Sequence, residues 1–153
     1  MPGETNLEAL LAALEPALDP AEYVFATCPE TAGRPWACPN APGEPIGVFR
    51  EAEGVTLILR REEAERLAIP CTYRCRRITL RVHSSLGAVG LLAHVTAALA
   101  ARGISVNAVS GYYHDHLFVP VERAEEALVV LAGHGPSHGP ALPGVRTGRR
   151  NRR

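Results

Sequence analysis

Lysine is absent from this 153-residue chain, and all sixteen basic residues are arginine. That excludes Schiff-base chemistry through a lysine, covalent pyridoxal phosphate included, and it excludes a Walker-type phosphate lysine. Aspartate occurs only at positions 19 and 115, and aromatic residues make up 5%. No apolar run approaches the roughly 18 residues that a membrane span needs, and no basic segment followed by an apolar stretch opens the chain. A cytoplasmic protein with no membrane partner is the expectation. The four cysteines, Cys28, Cys38, Cys71 and Cys75, have spacings that match no common zinc framework. In that compartment they read as reduced thiols.

What is present suits a folded domain. Hydrophobic residues make up 46% and the formal charge is zero. The charge is uneven, because the final "RTGRRNRR" carries five arginines. Without them the body is acidic, so no nucleic-acid partner is expected there. Residues 134–153, rich in Gly, Pro and Arg, read as a disordered tail.

Two segments precede that tail. In residues 1–70, Thr5-x-x-Glu8 reads as a capping box. It opens a helix with Leu7, Leu10, Leu11 and Leu14 on one face, stopped at Pro16. Tyr23–Phe25 reads as a short strand, and Cys28–Pro45 as a loop. Ile46–Arg50 and Val55–Leu59 read as a hairpin turning at Glu53-Gly54, and Glu62–Leu67 as a short helix. In residues 71–133, Arg76–Val82 alternates as a half-buried strand. A helix over Ala88–Ala101 follows, with Gly103 as its left-handed cap. Strands over Ile104–Ser110 and His116–Val119 and a helix over Glu122–Leu131 complete the segment.

The second segment therefore runs β-α-β-β-α. Right-handed crossovers and coverage of one sheet face by both helices give a ferredoxin-like split βαβ. The first segment reads as a similar unit lacking its opening strand. The expected architecture is α+β: an antiparallel ferredoxin-like sheet with helices on one face, built from tandem half-similar units that share the sheet.

Gly90–Val106, "GLLAHVTAALAARGISV", resembles the ACT-domain signature. With "VFREAEGVTLIL", "RRITLRVHSSLGAVGLLAHV" and "GISVNAVSGYYHDHLFVP", the chain from about residue 5 to 132 resembles a small bacterial family of tandem ACT-like proteins. The resemblance implies the ferredoxin-like fold and a regulatory, amino-acid-binding heritage. Amino-acid-binding ACT domains open their first helix with Asp-x-Pro-Gly. Here the matching Gly87-Ala88-Val89-Gly90 keeps only the glycine.

Three readings of the polar clusters compete. In the first, the His83, Ser84, Ser85, Leu86, Gly87, Ala88, Val89, Gly90 loop precedes a helix N-terminus, whose free amides suit a carboxylate. Asn107, Tyr113, His114, Asp115 and His116 would complete that small-molecule site, with His83 and His116 meeting on the helix-free face. The serines also read as simple N-caps. In the second, His83, His114 and His116 form a zinc site with an open fourth position. In the third, Tyr112, Tyr113, His116 and Phe118 form a dimer or inter-unit interface. A Ser84–His114–Asp115 triad is opposed by strand geometry, since adjacent side chains point apart. The reading adopted is a non-catalytic regulatory protein, homodimeric, that binds an amino acid or related carboxylate and needs no cofactor or metal.

Overall fold

The computed structural model describes residues 3–28 and 45–133. The expected loop after Cys28 and the expected tail lie largely or wholly outside them. Helix α1 (Leu7–Ala12) is capped by Asn6, whose Oδ1 accepts from the Ala9 amide at 2.9 Å. Glu4 accepts from the Thr5 and Asn6 amides. The Thr5–Glu8 capping box is therefore replaced by an Asn6 cap one residue later, which leaves the Thr5 amide to Glu4.

Strand β1 (Pro16–Cys28) is far longer than the three residues expected. Pro16, Asp19 and Pro20 hide it, because proline supplies no ladder donor. The register against β4 (Arg74–Leu80) absorbs them in a bulge between Leu18 and Glu22. There the Asp19 Oδ1 accepts from the Ala21 amide, and Arg76 Nε donates to the Asp19 carbonyl at 3.0 Å. Strands β2 (Gly47–Glu51) and β3 (Gly54–Arg60) form the expected hairpin, closed at Glu51 and Gly54. Helix α2 (Arg61–Arg66) follows. Beyond β4 come helix α3 (Leu91–Ala100), strands β5 (Asn107–Ser110) and β6 (Asp115–Pro120), and helix α4 (Ala124–Ala132). Gly103, at φ +64°, ends α3 in the left-handed region as expected.

All six strands join one sheet in the order β2-β3-β1-β4-β6-β5. β1 and β2 are each antiparallel to β3, and β4 and β5 are each antiparallel to β6. The two halves thus repeat one another, with their opening strands β1 and β4 paired at the centre. Each half's opening strand occupies the place of a fourth strand for the other. The first segment does not lack its opening strand: β1 is that strand, and α1 is an addition before it.

Strand alternation sorts the core. Val24, Leu57, Leu59, Ile78, Leu80, Leu117 and Val119 face the helices. Tyr23, Ile58, Cys75 and Phe118 form a separate cluster on the opposite face. There Phe118 meets Tyr23 and Phe25 edge-to-face at 5.9 and 5.4 Å. Phe118 is therefore core, and of the dimer and inter-unit alternatives it serves the second, because β1 of the first unit brings it aromatic partners that a shorter strand would not supply. Arg77 lies over the Tyr23 ring and pairs with Asp19 at 2.6 Å.

Cys28 is disulfide-bonded, while Cys71 and Cys75 are free. This corrects the expectation of four reduced thiols, which rested on an inferred compartment and not on the positions of the cysteines in the fold. No described helix is long and apolar enough to cross a membrane.

Candidate functional site

The chain leaving β4 is shaped residue by residue. Glu4 lies alongside it in a parallel bridge to Ser84: the Glu4 amide donates to the His83 carbonyl and the Ser85 amide to the Glu4 carbonyl, each at 2.9 Å. Any Cβ at Gly3 would stand 2.5 Å from the Ser85 nitrogen, so only glycine permits this approach. Ser85 Oγ accepts from the Gly87 amide at 3.2 Å, and its carbonyl from Ala88 at 2.9 Å. The loop ends at Gly90, which takes φ +104° as the first cap of α3 and packs against Leu7. This is the one position kept from the Asp-x-Pro-Gly pattern, and its backbone conformation explains why it must be glycine.

No side chain caps α3. The first helical bond is donated by His94 to the Gly90 carbonyl, so the amides of Leu91, Leu92 and Ala93 have no intrahelical acceptor. These residues line a cleft of about 170 Å³ together with Ser84 and Ser85 and with Ser110, Gly111 and Asp115 of the β5–β6 hairpin. Asp115 is 7% exposed, and it is the one buried charged side chain among the described residues. Its Oδ1 accepts from Ser110 Oγ at 2.6 Å and its Oδ2 from Ser84 Oγ at 3.4 Å.

The structure divides the expected site residues. Ser84, Ser85, Leu86, Ala88, Gly90 and Asp115 line the cleft, whereas Gly87 and Val89 are exposed outside it. His83 does not meet His116. The β4–β6 pairing stops at Leu80 and Asp115, so His83 lies past it and stacks on Tyr113, with centroids 5.4 Å apart. His116 sits opposite Thr79, its Nδ1 3.0 Å from Thr79 Oγ1. Burial, then the charges of Arg77 and His114, hold the His116 pKa below the ordinary imidazole value against the pull of Asp115. His114 Nδ1 lies 3.3 Å from the Val82 carbonyl. Asn107 pairs with Phe118 and so shares its face, away from the cleft. Ser110, which pairs with Asp115, stands where Asn107 was expected.

This partition also bears on the other readings. The three histidines have separate partners, and among the described residues no group of three or more His, Cys, Asp or Glu is placed to hold a metal. Ser84 bonds Asp115 directly while His114 turns to the backbone, so the triad is not assembled. A larger cleft of about 320 Å³ lies by Glu22, Arg60 and Arg61. Its main charges are already matched, Glu22 with Arg61 and Arg74 and Arg61 with Glu65.

Two half-similar units fused through their opening strands, with an unblocked helix N-terminus after one of them, define a tandem ferredoxin-like protein. Comparison with known families identifies it further: residues 2–76 and 72–132 each match a model described as an ACT domain. The chain belongs to the ACT-domain family. A Vibrio cholerae protein of unknown function, described as a possible transport protein, is 42% identical; the match covers 82% of this chain and 93% of that one, with a TM-score of 0.72. An Agrobacterium tumefaciens protein superposes with a TM-score of 0.64 at 16% identity, over 80% of this chain and 89% of its own. The ligand-free regulatory subunit of aspartate kinase from Thermus thermophilus does so at 0.57 and 12% identity, over 80% and 98%. No curated protein matches the chain. ACT domains are commonly regulatory units that bind amino acids.

Proposed function

We propose that this protein is a non-catalytic regulator that binds a small carboxylate, amino acids among the candidates, between the start of α3 and the β5–β6 hairpin. One observation carries this reading: Leu91, Leu92 and Ala93, whose amides have no helical acceptor, line the same cleft as a buried, serine-held acid. Amides at a helix N-terminus and the helix dipole favour an anion. The two units, residues 1–70 and 71–133, would act as one body because their opening strands pair.

Occupancy would be passed on at the mouth of the cleft. Leu86, Val89, Tyr112 and Tyr113 are 61–83% exposed on the loops before α3 and between β5 and β6. A homodimer meeting there would sense the ligand only if it is tighter in one assembly than in the other. The same four residues also support a pure interaction module without a ligand.

A thermal-shift panel of amino acids and related carboxylates separates the two. At ~100 times its dissociation constant a true ligand adds about 2.7 kcal/mol. Ser84→Leu should abolish that gain; it also takes a donor from Asp115 and so lowers the ligand-free melting temperature, and the readout is the ligand-induced shift alone. No shift from any carboxylate at millimolar concentration would overturn effector binding and leave the interaction module. Light scattering with and without the active ligand tests the assembly.

A further inference from the structure

The described sheet ends on two edge strands, β2 and β5. An edge strand carries a row of unpaired amides and carbonyls that a further strand can bind. β5 is exposed throughout but offers one large apolar side chain, Val109, at 37%. β2 offers more. Phe49 is 70% exposed, Val48 45%, and Ile46, just before the strand, 43%. Val48 pairs with Leu57 and so lies on the helix side, while Phe49 pairs with Thr56 and lies on the other face. Apolar side chains therefore stand beside this edge on both faces of the sheet. Burial on one face accounts for an inward residue at every second position, not for a neighbouring outward Phe49.

We infer that the outer edge of β2 binds a second copy of this chain, antiparallel and across a two-fold at Phe49, so that two six-stranded sheets become one. The inference goes beyond the effector reading, because β2 lies at the opposite edge of the sheet from β5 and the cleft. Self-complementarity selects this occupant. Phe49 is the midpoint of Gly47–Glu51, so a two-fold there pairs all five residues. Phe49 then meets its own mate, Val48 meets Arg50, and Gly47, with no side chain to obstruct, meets Glu51. Arg50 and Glu51 each face a neutral residue. Moving the two-fold one residue on would set Arg50 against Arg50, and like charges directly opposite are destabilising. Moving it one residue back would shorten the paired run to Gly47–Phe49. An isologous contact also closes, whereas pairing β2 with β5 of another copy would leave free edges and grow without end. One short strand with two apolar side chains buries less than the roughly 1,200 Å² of a standard interface, so the dimer is weak and reversible.

The test is sedimentation of the full chain, without any added carboxylate, over about 1 to 500 µM protein, the range in which a contact of this size assembles. The expected result is a mass that rises with concentration. Phe49→Lys and Val48→Lys should each weaken association by about tenfold or more, since each acts twice across the two-fold and the second also sets a cation opposite Arg50. Tyr112→Lys, between β5 and β6, should leave this association unchanged. Amide exchange in the 46–51 segment of the unmodified protein should slow as concentration rises, and should not in Phe49→Lys. Both β2 residues are exposed, so equal melting temperatures in dilute solution check the fold, and if one variant does not fold the other decides. A monomer at every concentration overturns the inference. Association that survives both β2 substitutions, or that is lost only in Tyr112→Lys, also overturns it. Any of these results leaves the effector reading to its own thermal-shift test.

Discussion

Asp19→Asn should expose how the bulge in β1 is held. The Asp19 carboxylate takes three donors: the Ala21 amide at 2.9 Å, Tyr23 OH at 2.8 Å and Arg77 Nη2 at 2.6 Å. Its side chain is 17% exposed and that of Arg77 is 27% exposed, so solvent screens the pair only in part. Burial pushes the Asp19 pKa up, but the Ala21 amide, the Tyr23 hydroxyl and Arg77 together hold it below the ordinary value. The asparagine keeps one acceptor oxygen and the shape but loses the charge, leaving a half-buried guanidinium whose Nε already has no partner among the described residues. Hydrogen bonds to charged groups contribute about 1.5–3 kcal/mol, so the loss at pH 7 should be about 2 kcal/mol. For a chain of this size that is a fall in Tm of about 4–8 °C. The pH dependence follows from linkage. A depressed folded-state pKa gives stability that is complete above the unfolded value of about 3.9 and is lost as pH falls through the folded value. Urea melts of both proteins at pH 7, 4 and 2.5 should therefore show a gap in midpoint that is full at pH 7, begins to close near pH 4 and is smallest at pH 2.5. Other carboxylates affect both proteins alike and cancel in the difference. A gap of the same size at pH 7 and pH 2.5, or none at pH 7, would refute the reasoning.

Two further outcomes are expected. Cys75 is fully buried, donates to the Tyr23 carbonyl at 3.2 Å, and has its thiol pKa pushed up to about 12 by burial. Maleimide labelling of the native protein followed by peptide mapping should modify half-buried Cys71 and spare Cys75 until denaturant is added; equal labelling of both would show that the sheet opens there. Residues 1–70 and 71–133 expressed separately should each fail to unfold cooperatively, because separation strips β1 from β4 along the register from Pro16–Leu80 to Val24–Arg74. A cooperative melt from either half alone would show that the units are independent.

The architecture was legible where period and punctuation agreed. Ile78, Leu80, Leu117 and Val119 alternate without interruption, and all four are buried on the helix side. Glu53-Gly54 marks the hairpin that the register closes at Glu51 and Gly54. Legibility failed where local chemistry broke the period. Pro16, Asp19 and Pro20 read as a terminus and a turn, yet the bulge lets the strand continue past them once Arg76, Arg77 and Tyr23 bind what the bulge leaves exposed. The strand expected over Ile104–Ser110 begins only at Asn107. Ile104 is still committed to closing α3, its amide donating to the Leu99 carbonyl at 3.0 Å, and a residue in that role is not free to pair in a ladder.

The candidate cleft was half legible for a related reason. The Ser84–Gly90 loop, which lines it in part, could be singled out because a turn before a helix leaves amides without acceptors whatever its sequence. The other residues of the cleft, Ser110 and Gly111, were not legible, because His83, His114 and His116 are the conspicuous polar groups in the sequence and none of them lines it. Alternation along β6 places His116 and Phe118 on one face and so sends Asp115 to the other, with Leu117 and Val119. The turn after β5, closed by the Gly111 amide on the His114 carbonyl, then sets Ser110 opposite Asp115. A short acid on the apolar side of a strand is the more informative signal, since burying its charge demands a compensating group. In this chain the described residues supply two hydroxyls, from Ser110 and Ser84, and alternation along β6, more than any histidine, sets Asp115 among the residues that line the cleft.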